Sequence, residues 1–399
     1  ADIDSVTSRE ICREISREGI VLLKNDKHIL PIDCDKAGSI AVIGPLADVW
    51  FQDWYGGKAP YYKTLRQGIE DITGMDVSVA DGFDRVVFRY GEKGITVNAD
   101  GTLGISSTPD VFIKENWGEG SFAFKCVRTG KYMNTRMPDD SSRRAVIAAE
   151  KEDTFDWFVL EIFHMEEDKY GHVILLNRFH YPLYISEEGG VFAMDREEGT
   201  PFTMEIVEDG LKKALETAIN KNTVILALGN NPMINAKEEI DRTTMRLPED
   251  QENLITEIGR NNPYTILVLF ANYPYAVNSA AEKIPAVLLS ATGSQDLGTA
   301  MAETIFGINA PAGRLNMTWY NSEEDIPEID DYDIIKGKRT YRYFDGKVLY
   351  PFGFGLTYTQ FEYSDMKVIS DDELFIDISF TVTNTGECPS DEVAEIYAA

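Results

Sequence analysis

The chain has 399 residues, with 38 Lys and Arg against 67 Asp and Glu, a formal net charge of −29. That balance argues against nucleic acid and anionic membrane surfaces as partners and suits a neutral ligand such as a sugar. A hydrophobic content of 43% over this length is enough for two or three domains with a large core.

No run of about 18 apolar residues marks a membrane span, and no basic, apolar leader opens the sequence, so a soluble protein is expected, with the cytoplasm favoured. Cys12, Cys34, Cys126 and Cys388 are scattered without a C-x-x-C pair. They suggest neither a zinc site nor a disulfide framework and leave the redox compartment open.

In chain order, residues 7 to 23 show helical spacing through Ile11, Ile15, Val21 and Leu22, with a cap expected at Thr7 or Ser8. Ser39 to Gly44 reads as a buried strand that ends in Gly44-Pro45. The loop that follows carries Trp50, Phe51, Trp54, Tyr55, Tyr61 and Tyr62 around Gly56-Gly57. A helix at 64 to 73 and a short strand at 76 to 80 come next. The alternation resumes with a helix at 211 to 220, strands at 223 to 229, 264 to 270 and 286 to 290, and helices near 249 to 260 and 292 to 306. Such alternation predicts an α/β fold with a mainly parallel sheet covered on both faces.

Between the halves, residues 84 to 206 form an all-β insertion with a weak threefold repeat: Phe112-Ile-Lys-Glu115, Phe158-Val-Leu-Glu161 and Phe202-Thr-Met-Glu205. Each copy follows a short apolar stretch, Leu103-Gly-Ile, Val146-Ile-Ala-Ala or Val191-Phe-Ala-Met. Three such units suggest a β-trefoil with a self-contained core. His164, His172 and His180 are eight apart and need not converge, so no metal site is expected.

After Pro311-Ala-Gly-Arg-Leu315 a polar, Tyr-rich linker leads to Tyr350-Pro-Phe-Gly-Phe-Gly-Leu-Thr-Tyr358. Strands are expected from Phe361, across 374 to 383, and from Glu392 to Tyr397. Two or three strands cannot bury a sandwich core, so the remaining strands are expected from elsewhere.

The most telling stretch is Thr223-Val-Ile-Leu-Ala-Leu-Gly229, followed by Lys237-Glu238-Glu239-Ile240-Asp241-Arg242 and Leu247-Pro248-x-x-Gln251. A strand without alternation is buried on both faces, and in parallel sheets ligands bind beyond the carboxyl ends of the strands. Glu238 lies in the loop leaving that end, where packing against a neighbouring domain would raise its pKa into the range of a proton donor; a solvated acidic loop is the alternative reading of the same residues. The aromatic loop and the insertion leave the ends of neighbouring strands, which puts Trp50, Trp54 and Tyr55 forward as substrate-binding residues of the leaving-group subsite, with packing of a domain interface as the alternative.

Several motifs, in order, resemble glycoside hydrolase family 3 β-glucosidases. They are Arg13-Glu14-x-x-Arg17-Glu18-Gly-Ile-Val-Leu-Leu-Lys-Asn25, Ile29-Leu-Pro-Ile32, Ala41-Val-Ile-Gly-Pro45 with Ala47-Asp48, and Glu238-x-x-Asp241-Arg242 with Leu247-Pro248. Pro311-x-Gly-Arg-Leu315 and Arg339-Thr-Tyr-Arg-Tyr343 with Tyr350-Pro-Phe-Gly-x-Gly-Leu356 complete the set. The resemblance implies a retaining hydrolase of terminal β-linked glucose that needs no cofactor or metal. Its nucleophilic Asp would sit on a TIM-like barrel and its acid/base on an (α/β)6 sandwich, where Glu238 matches the acid/base position.

The implied layout is a first sandwich part at 1 to 83, the β-trefoil-like insertion at 84 to 206, and a second sandwich part at 207 to 330. A linker at 331 to 358 and the start of an incomplete fibronectin-III-like β-sandwich at 359 to 399 follow. The barrel is expected on a second polypeptide or on a segment outside this sequence, and a homo-oligomer is compatible with the sequence.

The family often has an aromatic residue directly after Gly56-Gly57, where this chain has Lys58. Asp241 and Arg242 are expected to brace the loop. The alternatives are a β-xylosidase of the same family and a non-catalytic carbohydrate-binding protein; a nucleotide site at Gly44-Pro45 is disfavoured because no G-x-G-x-x-G follows.

Overall fold

A computed structural model describes residues 4–52, 54–137, 144–195, 198–238, 242–372 and 375–397. Its centre is a six-stranded sheet in the order Val21–Asn25, Ala286–Ser290, Thr265–Phe270, Thr223–Gly229, Ile40–Ile43, Ser78–Ala80. Neighbours pair in parallel except the first strand, which runs antiparallel to Ala286–Ser290. Successive residues of each strand feed opposite layers, as the pleat requires. Ile40, Val42, Ile225, Ala227, Ile266 and Val268 pack with Leu65, Ile69, Met301 and Ile305 of two helices, Leu65–Thr73 and Leu297–Ile305. Ala41, Ile43, Val224, Leu226, Leu267 and Leu269 pack on the other face with Ala214, Leu254, Ile258 and Ala280 of three helices.

The expected core strands are present at nearly the expected bounds, and the Leu65–Thr73 helix opens on a capping box between Thr64 and Gln67. The first helix is shorter than its periodicity suggests. It spans Val6–Glu18, with Ser5 as the N-cap and Gly19 as the C-cap. Val21 and Leu22 then belong to the antiparallel edge strand, where three apolar residues in a row are wanted because that strand too is covered by packing. The short helix Asn278–Lys283 was not expected, and residues 391 to 397 form no strand.

The insertion leaves the sheet after Ala80 and returns through Asp209, where the Gly210 amide donates to the Asp84 side chain at 3.0 Å. Within it, strand Asp84–Tyr90 pairs with Phe112–Asn116, which pairs with Phe122–Cys126. Phe122 pairs with Phe163 at the head of Phe163–Glu167, and that strand pairs with Val173–Asn177. A Val173–Phe202 bridge reaches Thr203–Glu208, which pairs back to Asp84–Tyr90 and closes the ring. Lys93–Val97 with Leu103–Ser106, Tyr132–Thr135 with Ala145–Lys151, and Leu183–Ile185 with Val191–Ala193 make three hairpins. Bridges Thr102–Ala148 and Gly104–Gly190 tie these hairpins together.

Phe112 and Phe202 are fully buried in the ring, but Phe158 lies in a bend and is 51% exposed. The equivalent buried residue is Phe163, so the middle copy of the repeat is Phe163-His-Met-Glu166.

The insertion is not self-contained. Although it has its own core around Phe88, Phe124 and Phe163, five of its residues, Trp117, Ala123, Tyr132, Val159 and Ile162, belong to the same cluster as Leu46, Ile69 and Phe83 of the α/β unit. Beyond Tyr358, strands Phe361–Asp372 and Phe375–Asn384 pair with each other as a two-stranded sheet. No helix among the described residues is long and apolar enough to cross a membrane.

Candidate active site

The parallel strands deliver their exits to one edge of the sheet. The Gly44 amide donates to Ala80 (2.8 Å), Leu46 to Ala227 (3.1 Å) and Asn230 to Phe270 (3.2 Å), so consecutive exits are laced to one another. At Gly229 the backbone has φ +141° and a Cβ would overlap the Phe270 carbonyl, which requires glycine. The Gln251 side chain caps this strand end, accepting from the Gly229 amide (2.8 Å) and donating to its carbonyl (3.0 Å). That contact explains why Gln251 accompanies the loop in the sequence.

Glu238 is exposed in the loop that follows, and its carboxylate accepts a hydrogen bond from the Tyr55 hydroxyl of the aromatic loop. Beside it, the Lys237 ammonium donates to the Trp157 carbonyl and lies 5.0 Å from the centre of the Trp157 ring. Trp157 stands edge-on to Trp54 at 5.1 Å, and Phe155 stacks on Trp54 at 5.9 Å. Thus Trp54, Tyr55 and Glu238 come together, joined by two aromatics of the insertion.

Trp50 is held elsewhere. Its indole N–H donates to the Ser294 carbonyl (3.0 Å) and its ring stacks on Tyr62 at 5.3 Å, toward the Leu297–Ile305 helix. Arg242 places its guanidinium 3.6 Å from the Tyr273 ring centre, with Tyr275 behind at 5.0 Å. Asp241, the other member of the expected bracing pair, and Glu239 lie outside the described residues.

His164 and His180 stack at 4.2 Å while His172 pairs with Asp168 at 3.0 Å. Among the described residues no group of three or more His, Cys, Asp or Glu is placed to hold a metal ion.

Two carboxyls of the insertion are buried. Glu115 accepts from the Tyr132 hydroxyl (2.8 Å) and the Trp117 indole (3.1 Å), yet burial outweighs these donors and pushes its pKa up to about 7. Glu161 is 1% exposed with Oε2 unpartnered, and burial likewise pushes it up to about 7.

Trp157 and Lys237, which join the insertion to this loop, are not among the residues the sequence singles out as site residues. The only available signal was the aromatic, acidic run Asp153-Thr-Phe-Asp-Trp157.

A family model for the glycosyl hydrolase family 3 C-terminal domain matches residues 20–358. The chain is 26% identical over 98% of its length to a xylan 1,4-beta-xylosidase of Xylanibacter ruminicola, covering 49% of that protein. It is 24% identical over 98% of its length to beta-glucosidase B of Emericella nidulans, covering 54% of it. Among solved structures, DesR, a beta-glucosidase from Streptomyces venezuelae in complex with D-glucose, superposes with a TM-score of 0.64 at 22% identity, over 96% of this chain and 49% of that one. The chain therefore spans about half the length of the curated relatives it matches.

Proposed function

The chain belongs to glycosyl hydrolase family 3 through the C-terminal domain of that family, and on that premise we propose that it supplies the general acid/base of a retaining β-glucosidase, with Glu238 in that role. The nucleophilic carboxylate is then contributed by a barrel outside the sequence described. Two carboxyl groups about 5 to 5.5 Å apart are needed for this chemistry. In the first step Glu238 gives its proton to the glycosidic oxygen as the nucleophile bonds to the anomeric carbon and the leaving alcohol departs. In the second, Glu238 takes a proton from water as the water oxygen displaces the nucleophile. Trp54 and Tyr55 border the leaving-group side, and Trp50 belongs to the support of the loop rather than to the substrate.

The observation that carries this reading is the meeting of the aromatic loop and the Glu238 loop at the carboxyl edge of the parallel sheet, where the Tyr55 hydroxyl orients the Glu238 carboxylate. The likeness to a xylan 1,4-beta-xylosidase over 98% of the chain favours a β-xyloside as the second substrate class.

The same reading divides the chain into sandwich parts at 1–83 and 207–330, an insertion at 84–206, a linker at 331–358 and a terminal module from 359. A β-trefoil for the insertion is supported by the six-strand ring and the three bridged hairpins. A fibronectin-III-like start for the last module is supported by the antiparallel Phe361–Asp372 and Phe375–Asn384 pair.

In the full-length enzyme, Glu238→Gln is expected to slow alkyl β-glucosides about 10² to 10⁴-fold and activated aryl β-glucosides much less at the glycosylation step, with azide restoring turnover of the glycosyl-enzyme. Equal loss on both substrate classes without azide rescue would remove Glu238 from the role.

A further inference from the structure

Both flanks of the Glu238 loop are fastened to the insertion. On the side leading in, Asn231 Nδ2 donates to Thr154 Oγ1 (3.0 Å), Asn235 Nδ2 donates to the Trp117 carbonyl (2.7 Å), and Lys237 donates to the Trp157 carbonyl. The Asn231 and Asn235 side chains also cap the turn itself, taking the Met233 amide (2.9 Å) and the Asn231 amide (2.8 Å). On the side leading out, one Glu119 carboxylate oxygen accepts from the amides of Thr243 (2.7 Å) and Thr244 (3.2 Å). Glu323 grips the next residue, accepting from the Met245 amide at 2.6 Å and from the Thr244 hydroxyl.

The geometry of Glu119 is unusual for its residue type. It sits at the tip of the hairpin between Phe112–Asn116 and Phe122–Cys126, with φ +52°, between Gly118 at +86° and Gly120 at +72°. A side chain is disfavoured in the left-handed region, so a glutamate there is retained when its surroundings fix it. Here the turn aims the carboxylate at two backbone amides, and such charge-assisted bonds are the stronger kind. The tip is itself anchored, because His164 Nδ1 lies 2.9 Å from the Gly120 carbonyl.

We propose that Glu119 is a positioning residue: through the Thr243 and Thr244 amides the insertion holds the outgoing arm of the loop, and with the Asn235 bond on the ingoing arm it fixes where Glu238 stands. This rests on Glu238 being the acid/base. The insertion thereby acts on the proton-transfer step without touching substrate. Misplacing a proton donor by a fraction of an ångström matters most where protonation limits the rate, with leaving groups of high pKa.

Glu119→Ala and Glu119→Gln test this, Glu119 being exposed so that the fold survives both changes. The first readout is amide hydrogen exchange at Thr243 and Thr244 in the chain itself. Glu119→Ala should speed it about tenfold or more, with Glu119→Gln in between because one carboxamide oxygen remains to accept. The second is turnover by the full-length enzyme: Glu119→Ala should slow alkyl β-glucosides about tenfold and activated aryl glucosides less than about twofold.

Unchanged exchange, or an equal fall on both substrate classes, overturns the inference while Glu238→Gln keeps its own leaving-group signature. A Glu238→Gln enzyme without that signature removes the acid/base reading, and this inference with it.

Discussion

The Tyr55 hydroxyl donates to the Glu238 carboxylate, linking two loops that are 183 residues apart in sequence. The phenol comes from the loop after strand Ile40–Ile43 and the carboxylate from the loop after strand Thr223–Gly229, and those strands are direct parallel neighbours. The contact is thus a product of sheet order. Tyr55→Phe removes the donor and keeps the ring, so its effect isolates the hydrogen bond. A bond to a charged group in an exposed setting is worth about 1 to 2 kcal/mol, which corresponds to roughly 5- to 30-fold in kcat for poor leaving groups. Steady-state kinetics of the full-length enzyme on paired alkyl and aryl glucosides would show this. If kcat is unchanged while KM rises, Tyr55 serves substrate binding instead.

Much of that arrangement is written in the chain. Thr223 to Gly229 has no polar face, so it could only be a strand covered on both sides, and its exit names the Glu238 loop. The edge strand Val21–Asn25 was hidden because Val21 and Leu22 extend the apolar spacing of the helix before them, and only Gly19 marks the break. The repeat is legible in the chain but its register is not: Phe158 and Phe163 both open a Phe-x-x-Glu string, and burial alone separates them. The anchors of the Glu238 loop left no pattern at all. They are single polar contacts between groups far apart in sequence, from 77 residues for Asn231 and Thr154 to 125 for Glu119 and Thr244.

The shared core makes Trp117 the residue on which the insertion and the α/β unit jointly depend. It is 1% exposed and meets Phe51 edge-on at 5.5 Å and Phe83 at 5.8 Å, residues that lie outside the insertion. Trp117→Ala should cost about 3 to 5 kcal/mol. In urea melts followed by far-ultraviolet circular dichroism, the helical signal of the α/β unit should fall at lower denaturant along with the rest. Excision of residues 84 to 206 should be worse still, since it uncovers Phe51, Phe83 and Leu46 together. A variant whose α/β unit melts at the wild-type midpoint would mean that the two parts are energetically separate despite their contact.

The buried carboxyls set a pH dependence of stability with a definite sign. Glu115 and Glu161 each titrate at about 7 in the folded chain because burial disfavours their charged forms, whereas an unfolded glutamate titrates near 4.5. Between those values the folded state holds protons that the unfolded state has released, so stability is full at the acid end and falls as pH rises toward 7. Each shift corresponds to at most about 3 kcal/mol. Burial pushes His164 down, with the Gly120 carbonyl opposing and the charges of His180 and Arg178 assisting, and this histidine acts in the opposite sense, favouring the folded state as pH rises. Comparison with variants removes that contribution because it is common to all. Glu161→Gln is the cleaner probe, since Oε2 of Glu161 has no partner to lose. In Glu115→Gln the amide oxygen can still accept from the Trp117 indole, but the amide N–H would have to donate to the Tyr132 hydroxyl, reversing the bond that Tyr132 now donates, so the change reads more than the charge. Urea midpoints from pH 5 to 7.5 should therefore decline for the wild-type chain and decline markedly less for Glu161→Gln, the two curves lying closest at pH 5 and drawing steadily apart as pH rises, with the gap levelling off above about pH 7. Parallel curves would show that the Glu161 carboxyl is ionised throughout this range and that Lys151, whose charge favours the ionised form, offsets its burial.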